Sequence, residues 1–151
     1  WVRGQIRDDK PIDEMVRDIV TAEGSTYTEG PANFFMTANN AADWAETTSQ
    51  LFLGVRIGCA KCHHHPFEKW TQAEYYRLAA FFSQVGRKPT AIAGEDLFFH
   101  KRGIAQFEHR KTREMLKPAG LGEPEMTIAP DDDPRLAEAG TLPCAPSPIL
   151  S

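Results

Sequence analysis

Residues 58–70 read GCAKCHHHPFEKW and carry two of the chain's three cysteines and three of its five histidines. Within them, Cys59-Ala60-Lys61-Cys62-His63 is the C-x-x-C-H pattern of covalent c-type haem attachment. The spacing has a mechanical basis. Two thiols about one helical turn apart can add to the two vinyl groups on one haem edge, while the histidine that follows presents its imidazole to the iron. His63 is then the proximal ligand. His109 leads the candidates for the sixth position, ahead of His100, Met36, Met115 and Met126. With this chain's own Cys and His frequencies, the pattern arises by chance in roughly two of a thousand such sequences.

The same donors suit zinc. Cys59 and Cys62 have knuckle spacing, and imidazoles drawn from His63, His65 and His109 would complete a tetrahedral Cys2His2 shell. A metal-free turn or a redox dithiol is the third reading. His64 and His65 read first as hydrogen-bonding loop residues and only second as ligands. No other catalytic signature is present: there is no G-x-S-x-G, P-loop, H-E-x-x-H or dinucleotide fingerprint.

Helical signals surround the cluster. Ile12, Met15, Val16, Ile19 and Val20 recur at helical spacing between Pro11 and Gly24, which predicts an amphipathic helix. Residues 25–40 read as a long loop with Phe34, Phe35 and Met36 tucked inward. A second helix is expected over 41–57, with Trp44, Thr48, Leu51, Phe52 and Val55 on one face. Thr71-Gln72-Ala73-Glu74 is a capping box that opens a third helix running to Gly86. The cysteine turn therefore links two helices, and Trp44, Phe52, Trp70 and Tyr75 are candidate walls for a porphyrin. Further on, 96–100 and 104–108 flank Lys101-Arg102-Gly103 and predict a β-hairpin.

At 151 residues, 41% apolar and 25% charged, the chain suits one compact unit. A net charge of −4 argues against broad capture of nucleic acid, which needs clustered cations. Two basic runs, 100–102 and 109–113, read as solvated hairpin surface first and as a docking patch for an acidic partner second. No stretch approaches a membrane span, and the opening Trp1-Val2-Arg3-Gly4 has no signal-peptide layout. The first residue is Trp, so the chain reads as an excised or processed piece. Cys144 stands alone in a Pro-rich tail, and no disulfide framework emerges.

The run TTSQLFLGVRIGCAKCHHHPFEKWTQAEYYRLAAFFSQVGRK resembles the planctomycete cytochrome-like domain of unknown function, of the PSCyt type. KPIDEMVRDIVTAEGSTY before it and the segments up to Asp131-Asp132-Asp133-Pro134-Arg135 after it support the likeness over most of 1–136. The resemblance implies an exported, multidomain parent and a haem-type motif at Cys59, Cys62 and His63. It supplies no established reaction. Such proteins continue into a helix after the position of Arg135, whereas LAEAGTLPCAPSPILS is aperiodic, as truncation or a reading-frame slip would leave it.

The expectation is a mainly α, small helical domain with a short β-hairpin and long irregular loops. Residues 1–130 form the cytochrome-like domain and 131–151 an acidic, Pro-rich tail. Its function is haem c binding for electron transfer or redox sensing, in an exported location. Its partners are the parent's other domains and a redox partner, with no nucleic acid and no membrane span. The alternative is a structural or interaction module built on zinc.

Overall fold

A computed structural model describes residues 1–64 and 69–141. The first amphipathic period folds as α2 (Ile12–Val20), preceded by the short α1 (Val2–Arg7). Pro11 is the N-cap of α2, and Asp13 and Glu14 lie in its first turn, where the helix dipole favours acids. Met15, Val16 and Val20 are buried, but Ile12 faces solvent, so the buried stripe starts one turn later than its sequence pattern.

Residues 30–37 are not an open loop. They form a 3-10 helix (Gly30–Thr37) that drives Phe35 into the centre of the core. Its ring lies 5.4 Å from both Trp44 and Phe98 and 6.5 Å from Phe82. The Trp44 Nε1–H donates to the Phe35 carbonyl at 3.0 Å, satisfying a buried indole. Phe34 is half-buried and Met36 exposed, so only one of the three apolar residues expected inside is fully buried.

The helix expected over 41–57 stops early. α3 (Ala41–Thr48) starts at Asn40, whose side chain accepts from the Asp43 N–H at 3.0 Å. It gives way to a π-helical turn, Ser49–Leu53, closed by Gly54 at φ 69°. The wider turn breaks the 3.6-residue period and leaves Leu51 exposed. α4 (Gln72–Ala80) carries the expected capping box: Thr71 Oγ1 accepts from the Glu74 N–H at 3.2 Å, and Thr71 N–H donates to Glu74 Oε2 at 2.7 Å.

Strand pairing departs from the sequence pattern. β1 (Gly24–Ser25), β2 (Val85–Pro89) and β3 (Asp96–His100) form an antiparallel sheet in the order β1-β3-β2. A separate pair joins β4 (Phe107–Glu108) to β5 (Met115–Leu116). The expected hairpin between 96–100 and 104–108 does not form. β3 pairs backwards onto β2, with Gly86 opposite Phe99; a Cβ at Gly86 would stand 2.5 Å from the Phe99 ring. Gly103 instead donates its N–H to the Pro130 carbonyl at 2.9 Å, leading the chain away from β3. The fold is 40% helical with 12% strand, so it is mixed and helix-leaning rather than mainly α.

Residues 134–141, expected to be aperiodic, form helix α5 (Pro134–Thr141). Arg135 anchors it and is only 1% exposed. Its guanidinium donates to both Asp133 carboxylate oxygens, to Glu23 Oε1 at 3.0 Å and to the Ala22 carbonyl at 3.2 Å. It also lies 5.6 Å from the Phe35 ring centroid. Residues 133–135 thus pack into the same core as α2 and the sheet. Cys144 lies outside the described residues. Arg135→Met would leave the Asp133 carboxylate, 13% exposed, without its cation. It should cost about 3 kcal/mol, read as a lowered urea midpoint at unchanged slope.

Candidate functional site

The cysteine turn is built from the residues that are not cysteine. Gly58–Lys61 is one 3-10 turn between the π-helical turn and α4. Ala60 is fully buried, so only a small side chain fits there. Lys61 is fixed at both ends. Its Nζ meets Asp43 Oδ1 on α3 at 2.9 Å, and its carbonyl accepts from Gln72 Nε2 at 2.9 Å and from the Tyr76 hydroxyl at 3.0 Å, both on α4. With Ala60 in the core and Lys61 tied to two helices, Cys59, Cys62 and His63 face solvent. The Cys62 and His63 N–H groups both point at the Cys59 carbonyl, at 3.4 and 3.5 Å, which closes the turn.

Charge reinforces this anchoring. The Lys61 ammonium beside Asp43 holds that carboxyl below its ordinary pKa, and Asp43 in turn raises Lys61. Glu46 on α3 packs directly over Gly58, where an added Cβ would stand 2.4 Å from its Oε1. The methyl group would have to displace the carboxylate.

His63 is held at one ring nitrogen. Its Nδ1 lies 2.7 Å from the His64 carbonyl, which can only accept, so Nδ1–H is the donor of this contact.

His109 is arranged the opposite way. It is 7% exposed and lies in the turn between β4 and β5, where its Nδ1 accepts from the N–H groups of Lys111 at 3.3 Å and Thr112 at 3.1 Å. Nε2 therefore holds the proton, and no lone pair is left for a metal. The ring pins the 110–113 turn, and its assignment as sixth ligand does not agree with this geometry. It sits edge-on to Tyr76, with ring centroids 5.1 Å apart. His65, named in the zinc set, lies outside the described residues. Among the described residues, no three His, Cys, Asp or Glu side chains converge as a metal shell.

Cys59, Cys62 and His63 are solvent-facing, but the side chains expected as porphyrin walls do not enclose them. Trp44 and Tyr75 are core residues, 4% and 0% exposed. Burial pushes the Tyr75 hydroxyl above its ordinary pKa. Phe52 packs on Phe34 at 6.0 Å, and Trp70 is half-buried beneath the Lys69 ammonium at 5.0 Å. An open depression of about 520 Å³ runs along α3, bordered by Thr37, Ala38, Asn39, Asp43, Glu46, Thr47, Gln50 and Leu51. Ala38 and Leu51 are its apolar side chains, and the two carboxylates among the rest do not suit an apolar macrocycle.

Asp43, Gln72 and Tyr76 carry the turn, yet none stands out in the sequence. Gln72 sits inside the capping-box motif, which hides its second role, and Tyr76 reads as part of an aromatic core stripe.

A family model described as PSCyt2, a protein of unknown function (DUF1549), matches residues 1–87. It covers α1 through α4 and the cysteine turn, and ends inside β2, before β3. The likeness read over 88–136 lies outside that match. No curated protein and no solved structure matches the chain.

Three expectations follow from these contacts. Because β3 is the central strand and pairs both β1 and β2, the matched segment 1–87 alone should lack a cooperative urea transition, whereas the full chain shows one. Ala60→Leu should overpack the core and cost about 1–3 kcal/mol, with faster alkylation of Cys59 and Cys62. The Asp43–Lys61 pair contributes less than about 1 kcal/mol, because its side chains are 40% and 39% exposed. Its contribution is full between the ordinary carboxylate and lysine ranges. It is lost as pH falls through the depressed Asp43 pKa or rises through the raised Lys61 pKa. Alkylation rates in Asp43→Asn should rise modestly at neutral pH and merge with the parent's in acid.

Proposed function

Since the chain belongs to the PSCyt2 family, which has no assigned reaction, we propose from its own residues that it is a c-type haem-binding module serving electron transfer or redox sensing. The observation that carries this reading is the single solvent-facing turn that presents both free thiols and a histidine whose Nδ1 is already held by a carbonyl. Cys59 and Cys62 would hold the group through their thiols and His63 through its imidazole. A haem held there supplies one-electron chemistry.

The chain's own part is to orient these groups. Lys61 and Ala60 fix the turn, and the His64 carbonyl holds the His63 ring through Nδ1. Attachment of this kind requires an exported compartment, in agreement with the location expected from the family resemblance. Among the described residues no helix is long and apolar enough to cross a membrane. Other domains of a parent protein and a redox partner are the proposed associates.

The test is co-expression with a cytochrome c maturation system, followed by absorbance of the acid-denatured protein. A Soret band that survives denaturation in the parent, is lost in Cys59→Ser/Cys62→Ser, and survives with altered native spectrum in His63→Ala supports the reading. A colourless protein whose helices melt on chelation would replace haem with zinc.

A further inference from the structure

The cation-rich run at 110–113 is not a loose loop. It forms the rigid tip of the β4–β5 hairpin. His109 Nδ1 holds two of its amides, Arg113 N–H donates to the His109 carbonyl at 2.9 Å, and Arg113 itself is forced to φ 62°. A non-glycine residue in the left-handed region costs free energy unless its surroundings fix it there. The result is a fixed display of Arg110, Lys111 and Arg113, all exposed. Arg113 is engaged by Glu108 at 2.6 Å, and Glu114 is exposed on the same hairpin. Among the described residues Arg110 and Lys111 have no ion pair, which leaves the tip cationic on a chain of net charge −4.

This tip adjoins the cysteine turn. Tyr76 stacks on Phe107 of β4 at 5.8 Å, meets His109 at 5.1 Å, and donates its hydroxyl to the Lys61 carbonyl at 3.0 Å. One side chain therefore separates the hairpin from the residue between the two cysteines. An interface of ordinary size covers about 800 Å² on each partner, a patch roughly 30 Å across. A protein seated on Arg110 and Lys111 would also cover Cys59 and Cys62. Of the acids near the turn, Asp43 is paired with Lys61, while Glu46 over Gly58 keeps its charge, so the cationic side of the face is the tip itself.

We propose that the β4–β5 tip and the Cys59–His64 turn form one docking face for a protein partner with an acidic surface. This deepens the reading above by giving the redox partner its chemistry, since charge complementarity of this kind sets orientation and encounter rate. The test needs no haem, so it succeeds or fails independently of the absorbance experiment.

The full chain, made without haem maturation, is titrated with fluorescent poly-L-glutamate at low ionic strength. Alkylation of each cysteine by iodoacetamide is then followed by peptide mass. Bound poly-L-glutamate should slow alkylation of Cys59 and Cys62 by at least about threefold. Arg110→Gln/Lys111→Gln should weaken binding about tenfold and abolish the slowing, while Arg3→Gln on α1 changes neither by more than about twofold. Circular dichroism of the double variant should match the parent. Binding without thiol protection would overturn the shared face. An unaffected double variant, or preferential binding to phosphatidylglycerol vesicles or duplex DNA, would overturn the acidic protein partner.

Discussion

Lys61 is the residue on which the rest of the site depends. Its ammonium is tied to α3 through Asp43, and its carbonyl is held by two donors from α4. A backbone carbonyl with two hydrogen bonds, beside a fully buried Ala60, cannot roll without losing both and opening the core. Inside C-x-x-C, Ala60 is therefore buried and Lys61 lies half-buried against α3. Cys59, Cys62 and His63 around them are left outside together.

That anchoring works only if α3 and α4 are themselves fixed. Tyr75 and Tyr76, adjacent on α4, point to different tasks. Tyr75 fills the core beneath α3, while Tyr76 joins the cysteine turn to the β4–β5 hairpin. Behind them Phe35 gathers Trp44, Phe82 and Phe98 into one aromatic centre. The Arg135 guanidinium closes over that centre and ties the far end of the chain to Glu23 at the end of α2. The site near residue 60 thus depends on contacts made as late as residue 135.

The sequence revealed the elements whose signals are local. The capping box at Thr71 and the apolar period of α2 are each contained in a few residues, and both formed where their patterns lie. Strand partners were not legible, because pairing is decided by distant groups: Val85–Pro89 holds Gly, Arg, Lys and Pro and has no alternation. The π-helical turn was hidden for a related reason, since its wider period breaks the apolar face that appeared to continue to Val55. In the site itself the C-x-x-C-H pattern is plain in the sequence, but the scaffold that holds it is not. Nothing in the type of Gln72 or Tyr76 announces a shared bond to Lys61. His109 looked like a ligand because histidine is versatile, and only its two amide contacts show it to be a turn fastener.

Intact mass is the most direct test of the central claim that this pinned turn is an attachment site. The full chain, co-expressed with a cytochrome c maturation system and measured under denaturing conditions, should be heavier by one complete haem, with the added mass located on the peptide that contains Cys59 and Cys62. An unmodified mass, with both thiols still open to alkylation, would contradict it.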